Sequence, residues 1–373
     1  MNDSRKYWVG FNLVKGIGPA RLRALLDVFG DAETAWKASV SDLREAGLGT
    51  QIFEQMVQVR EEIDLEQIWA SIEAKNVGVI TWIDENYPRR LKDLDYSPPV
   101  LYIRGELLPD DDWAVAMVGT RRMTGYGRQV ATDVASYLAS RGVTIISGLA
   151  RGIDSVAHEA ALQVGGRTIA VLGNGVDIIY PPEHRRLAQR IIECGALISD
   201  YPPGTPPESS NFPPRNRIIS GLSKAVIVVE AGKKSGALIT ASFAAEQGRE
   251  VFAVPGNIIA PQSKGTNHLI QQGARPLLDP QDVLDVLNLT QLPAFMEART
   301  LLPADAKEAQ LMELLRNEPY HVDELCERTG WMVEEVSSTL ALMELKGMVR
   351  SLGGMNYMAV MERRDEYSVE EDE

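Results

Sequence analysis

Six short apolar runs recur at Ala114–Val118, Val143–Ile146, Thr168–Leu172, Ala196–Ser199, Ala225–Val229 and Glu250–Val254, each followed by a helix-length amphipathic stretch. Continuous apolar runs of this length are expected of strands buried on both faces. Alternation with helices then predicts a mainly parallel sheet covered on both sides, an α/β fold of doubly wound, Rossmann-like type over residues 76–287. The flanks follow other periods. Over residues 1–75 apolar positions return at three and four, as in Leu22, Leu25, Leu26 and Phe29, which predicts an N-terminal helical domain. Between them lies a bridge, with strands expected at Val77–Trp82 and Val100–Ile103 around the turn signal Asn86-Tyr87-Pro88. Residues 288–304 contain two prolines and no clear period, as a linker would. Helices at Ala306–Leu315, Val322–Arg328 and Val333–Lys346, then a strand pair around Gly353-Gly354, make residues 305–361 a winged-helix pattern, followed by an acidic tail at 362–373.

At 373 residues the chain is long enough for two or three domains. Its two cysteines, Cys194 and Cys326, and its four histidines show no ligand spacing, so neither a disulfide scaffold nor a metal site is expected. No stretch approaches the roughly 20 apolar residues that span a bilayer, and the N-terminus has no signal-peptide core, so a soluble, cytoplasmic protein is expected. Net charge of −14 argues at first against a nucleic-acid partner. The charge is uneven, however. Residues 111–280 hold 17 Lys and Arg against 14 Asp and Glu, so the middle of the chain is locally basic between strongly acidic flanks.

In doubly wound sheets ligands bind beyond the carboxyl ends of the strands. The loops predicted there carry Gly119, Thr120, Arg121 and Arg122, then Gly148, Arg151, Gly152 and Asp154, then Gly173 to Asp177, and finally Lys233, Lys234, Ser235 and Gly236. Glycine allows close backbone approach, helix N-termini offer free N–H donors, and arginine grips phosphate in two places. A phosphate cradle is the expectation, with Asp154 and Asp177 as helix caps. The stretch Asn211–Ser223 adds Phe212, Arg215, Asn216 and Arg217. Pro214 there suits a helix's first position, which places both arginines in the first turn, where cations are unfavourable unless an anion lies near. Tyr126, Tyr180, Tyr201 and Phe212 border these loops, and a basic groove with stacking side chains suits a single strand. A second turn, Gly16-Ile17-Gly18 with Lys15, Arg21 and Arg23, has the form by which helix-hairpin-helix modules hold a DNA backbone, and Gly47-Leu48-Gly49 resembles a decayed copy. Dinucleotide and nucleoside-triphosphate loop motifs are missing, as is any nucleophile–base arrangement, so no catalytic residue, metal or cofactor is assigned.

From about Trp82 to Leu287 the chain resembles the DprA/Smf family, the bacterial DNA-processing protein A. The likeness rests on Val118-Gly119-Thr120-Arg121, Ser147 to Asp154, Gly175-Val176-Asp177 with Tyr180-Pro181, Asn211 to Ser223, Ser235 to Ala241, Val251 to Gly256 and Gly265 to Ile270. It implies an extended Rossmann fold with a helix-hairpin-helix or SAM-like N-terminal domain and a winged helix. It further implies single-stranded DNA binding, a homodimer, delivery of RecA recombinase in natural transformation or repair, and no established catalysis. The alternative is a Rossmann-like hydrolase of nucleoside phosphates, whose Pro-Gly-Gly-x-Gly-Thr loop Pro255-Gly256-Asn257 does not supply. The family commonly has Asn shortly after its Tyr-Pro pair; here Glu183 follows, so contacts from that loop are discounted. Glu334, Glu335 and Glu344 against Lys346 on the third C-terminal helix favour a protein-contact role there over DNA reading.

Overall fold

The computed structural model describes residues 3–289, 306–315, 318–345 and 348–359. Strands β1 (Gly78–Thr81), β2 (Val100–Gly105), β3 (Ala114–Val118), β4 (Thr144–Ser147), β5 (Thr168–Val171), β6 (Gly195–Ser199), β7 (Ala225–Val228), β8 (Glu250–Ala253) and β9 (Arg275–Pro276) form one sheet in the order β1-β2-β6-β5-β4-β3-β7-β8-β9. From β6 to β9 every pairing is parallel, and helices alternate with the strands, as the apolar runs require. All five residues of β3 are buried, because both faces of this central strand are covered.

Two features of the sheet departed from the sequence reading. The bridge strands β1 and β2 join the sheet antiparallel, with Tyr102 opposite Ser199 and Ile103 opposite Ile198. Two-residue β9 extends the other edge, too short to leave a periodic signal. Chain order turns back at β3: β4, β5 and β6 extend outward on one side, and β7, β8 and β9 on the other. The helices that follow β3 and β7, Gly125–Ala139 and Ala237–Glu246, start at this reversal, where open α/β sheets form their cleft.

The chain divides into two compact units, residues 1–290 and 291–373. In the first, helices Arg5–Leu13, Pro19–Phe29, Ala32–Lys37, Val40–Glu45, Thr50–Glu62 and Leu65–Ala74 share an apolar core with the sheet. Phe11 meets Trp36 edge-on with ring centres 5.2 Å apart, and the same cluster continues to Tyr102 and Leu197. The Tyr102 hydroxyl donates to Asn12 Oδ1 at 2.9 Å, so even the polar end of this side chain ties helix to strand. In the second unit, helices Ala306–Leu315, Val322–Thr329 and Val333–Leu345 pack over strands β10 (Tyr320–His321), β11 (Val349–Gly353) and β12 (Asn356–Ala359), in the order β10-β12-β11. The expected linker beyond residue 289, Lys346 and the acidic tail lie outside the described residues.

His158, on the helix Ile153–Gln163, is fully buried with Nδ1 2.6 Å from Thr168 Oγ1. Since that hydroxyl donates to the Ile145 carbonyl, it accepts from the imidazole, and Nε2 has no partner among the described residues. Burial pushes the imidazole down to about 3. The folded chain therefore resists a proton that the unfolded chain accepts near pH 6.5. Stability contributed by the neutral ring is complete above that pH and falls by up to about 1.4 kcal/mol per pH unit below it, until the folded value is reached. Urea unfolding at pH 7 and pH 5 should show the native sequence losing about 2 kcal/mol more than His158→Gln. Equal losses would exclude His158 as the source.

Candidate functional site

The helix Phe212–Gly221 sets the site. It begins two residues earlier than Pro214 suggests, directly after the turn Ser209–Asn211. Pro213 and Pro214 occupy its second and third positions, where backbone N–H groups have no intrahelical acceptor and proline costs little. The shift carries Arg217 into the second turn and leaves Arg215 as the fourth residue, and the surroundings of both differ from the expectation. Arg215 is only 4% exposed; its Nη1 donates to the carbonyls of Gly148, at 3.0 Å, and of Val171. Arg217 pairs with Asp200 at 2.7 Å, both side chains mostly buried. Neither presents its charge to solvent, because each is held by oxygens at the strand ends.

Asp154 completes the buried arrangement. Expected to cap a helix, it instead accepts from the backbone N–H groups of Gly148 (3.2 Å) and Ala150 (3.4 Å), curling the loop after β4 round its carboxylate. Burial raises its pKa, and the nearby Arg215 charge opposes that rise. Desolvation in turn lowers the Arg215 guanidinium to about 10. Asp177 is no cap either: it accepts from Lys75 Nζ and from the Gly204 N–H, each at 2.8 Å.

Two of the glycines expected to approach a ligand, Gly148 and Gly152, serve this packing. A Cβ on Gly148 would lie 2.7 Å from Arg215 Nη2 and 2.8 Å from Asp154 Oδ2. Gly152 has φ of +86° and would bring a Cβ within 2.2 Å of the Thr120 carbonyl, so the β3 and β4 loops touch there through glycine alone. Thr120 N–H also donates to the Glu230 carbonyl at 2.7 Å. The buried Glu230 carboxylate receives the N–H and hydroxyl of Thr124, which caps the helix Gly125–Ala139. The loops after β3, β4 and β7 are thereby clamped into one rim.

What the rim exposes is narrower than the set of loop residues named from sequence. Arg121 is exposed and lies over the Phe212 ring, its guanidinium carbon 5.6 Å from the centroid; Arg215 approaches the same ring at 5.9 Å. Tyr180, marked in the sequence only as a bordering aromatic, stacks on Phe212 with centroids 6.0 Å apart and planes at 29°. Arg151 is exposed but pairs with Glu183 at 2.5 Å, as the negative charge of that loop foretold. Arg122, Lys233 and Lys234 are exposed and make no ion pair among the described residues. Gly119 and Gly236 both line a cleft of about 520 Å³ at the reversal of strand order, with Asn216 bonded to the Gly236 carbonyl at 3.3 Å. Sequence reasoning passed over two residues lining it, Ile239 and Thr240, because helical packing explains such residues equally well.

The family profile of DNA recombination-mediator protein A matches residues 78–288, and that of the DprA winged helix domain matches residues 296–355. This chain belongs to the DNA-processing protein A (DprA/Smf) family. Among its relatives, Protein Smf of Escherichia coli is 42% identical, covering 90% of this chain and 93% of that protein. The X-ray structure of DprA from Streptococcus pneumoniae is 34% identical, covers 75% of this chain and 97% of that one, and has a TM-score of 0.65. DNA processing protein A from Helicobacter pylori, described for its single-stranded DNA binding mode, is 32% identical over 57% of this chain and 95% of that one, with a TM-score of 0.51. Within this DprA chain, helix Val333–Leu345 of the winged helix carries Glu335 bonded to Lys307, and Glu344 accepting from the Ser351 N–H at 3.1 Å.

Arg215 and Asp154 should be coupled. Asp154→Ala, which leaves a buried guanidinium without its counter-charge, should cost about 3 kcal/mol in equilibrium unfolding. Removing both charges in Asp154→Ala with Arg215→Met should cost less than the sum of the two single changes. Strict additivity would show that the two do not act on each other.

Proposed function

We propose that this chain is a single-stranded DNA-binding recombination mediator that protects DNA and helps load RecA recombinase, in natural transformation or DNA repair. The observation that carries this reading is an unneutralised guanidinium, Arg121, held against a stacked aromatic pair at the rim of a buried-charge scaffold. Cation and stacking face together are what a sequence-tolerant single-strand site needs. Lys233, Lys234 and Arg122 extend the positive potential without carboxylate partners among the described residues. The single-strand binding named for the Helicobacter pylori relative supports the same ligand class. The homodimer, the RecA partner and a cytoplasmic setting are part of the proposal, and rest on the family.

We further propose that the chain is not an enzyme. Among the residues lining the cleft the one carboxylate is Asp154, and the backbone of its own loop holds it. The glutamate nearest in sequence to the loop after β7, Glu230, is spent on Thr124. Neither is placed to act as a base on a nucleoside phosphate. Incubation with nucleoside monophosphates should release no base, and release would favour the hydrolase instead.

Binding to an oligo-dT should fall with salt along a slope set by the phosphates contacted. Arg121→Ala should reduce that slope by about 0.7, and Lys233→Ala with Lys234→Ala by up to roughly 1.4. Phe212→Ala should weaken binding by roughly 1–3 kcal/mol at every salt concentration, since stacking is not screened. Mobility shifts unaffected by all three changes would remove the rim as the DNA site.

A further inference from the structure

A second hollow lies away from the rim. It holds about 350 Å³ and shares no lining residue with the cleft at the reversal of strand order. Its walls come from residues 85–90 after β1, from residues 107–112 and from Leu222, and the last two lead into β3 and β7. The hollow therefore stands towards the amino ends of these strands, away from the carboxyl ends where open α/β sheets ordinarily take their ligands. Its floor is the sheet itself: Ile146 and Ile169, paired in register on β4 and β5, are each 1% exposed. Leu107, Leu222 and the buried Tyr87 continue the apolar lining. The Tyr87 hydroxyl is already engaged, 2.8 Å from Ser97 Oγ and 2.6 Å from the Pro98 carbonyl.

Most charges around the hollow are answered within the protein. Arg90 pairs with Asp112 at 2.9 Å, and Asp111 receives Arg167 at 2.6 Å, the Thr144 hydroxyl at 3.1 Å and the Leu108 N–H at 2.7 Å. Two are not. Glu85 and Arg89 are exposed at the mouth, and neither side chain has a hydrogen bond or ion pair with any described residue. A surface charge needs no partner, but one of each sign beside an apolar floor specifies the charges a ligand there should carry. An amphiphile with a single charge would meet repulsion at one of the two positions. A dipolar one meets a partner at both. The volume, about that of a dozen waters, is at the small end of ligand sites.

We infer that this hollow binds a free apolar α-amino acid, its side chain on Ile146, Ile169 and Leu222, its carboxylate at Arg89 and its ammonium at Glu85. The aliphatic floor suits an aliphatic side chain such as that of leucine. A peptide terminus carries only one of the two charges, so it satisfies only one of the two groups. Binding here uses none of the residues proposed for DNA.

The test titrates the native chain with leucine, N-acetylleucine and leucinamide, followed by saturation-transfer difference NMR. Acetylation removes the ammonium, and amidation removes the carboxylate. Leucine should bind at about 1 mM or tighter, and each blocked form about three- to tenfold more weakly, the worth of one partly exposed charged contact. In Arg89→Ala leucine and leucinamide should bind alike; in Glu85→Ala leucine and N-acetylleucine should. Both positions are exposed, so neither change threatens the fold. Leu108→Trp, at a lining residue 40% exposed, should obstruct the mouth and abolish binding. Absence of leucine binding at concentrations roughly tenfold above the expected constant overturns the inference. Equal affinity for all three ligands, or losses on blocking that persist in both variants, overturns the dipolar site. A fourth arm offers decanoate: binding tighter than that of leucine, and lost in Arg89→Ala, would assign the hollow to an apolar anion and overturn it likewise.

Discussion

The site depends on one buried electrostatic arrangement: the Arg215 guanidinium and the Asp154 carboxylate, placed against Gly148 where the β4 loop leaves the sheet. An ion removed from water must be compensated on all sides. Arg215 meets this demand with carbonyls from the ends of β4 and β5, and Asp154 with N–H groups from its own loop. The consequence is geometric. Strand ends that would otherwise carry independent loops are fastened to the helix Phe212–Gly221, and the ring of Phe212 is fixed with them. Gly173 lies against that ring, close enough that a Cβ there would be 2.9 Å from Cδ1.

For the proposed function, fixing Phe212 matters because a single strand is itself flexible. A stacking platform that had to be ordered on binding would lose part of its worth to side-chain entropy. Here the ring is already held by Tyr180, Arg121 and Arg215. The buried charges therefore work indirectly: they position a neutral aromatic, and Arg121 over that ring is the charge left exposed. Arg217 follows the same economy, being committed to Asp200 inside the fold.

The acidic character of the chain does not conflict with a basic rim. Charge is partitioned along the sequence, and the central residues are locally positive. At physiological ionic strength, interactions beyond about 8 Å are largely screened, so distant carboxylates weigh little on Arg121 or the Lys233-Lys234 turn. Glu183 is the local exception, and it neutralises Arg151 directly.

The parallel sense of the central strands and their alternation with helices were legible in the residues, because burial on both faces forces unbroken apolar runs and helices between them; their order was not. Also legible was the gathering of the glycine- and arginine-bearing loops at one rim, since they follow the carboxyl ends of neighbouring strands. The winged-helix pattern was legible for the same reason of period. What the residues could not disclose is which charges face water. Arg121, Arg215 and Arg217 look alike as letters, yet Arg215 is enclosed by the carbonyls of Gly148 and Val171 and Arg217 by Asp200, while Arg121 stays outside. The glycines were misread for a related reason: a residue without a Cβ suits a ligand or a neighbouring loop equally, and only the folded loops show that Gly148 and Gly152 yield their space to protein.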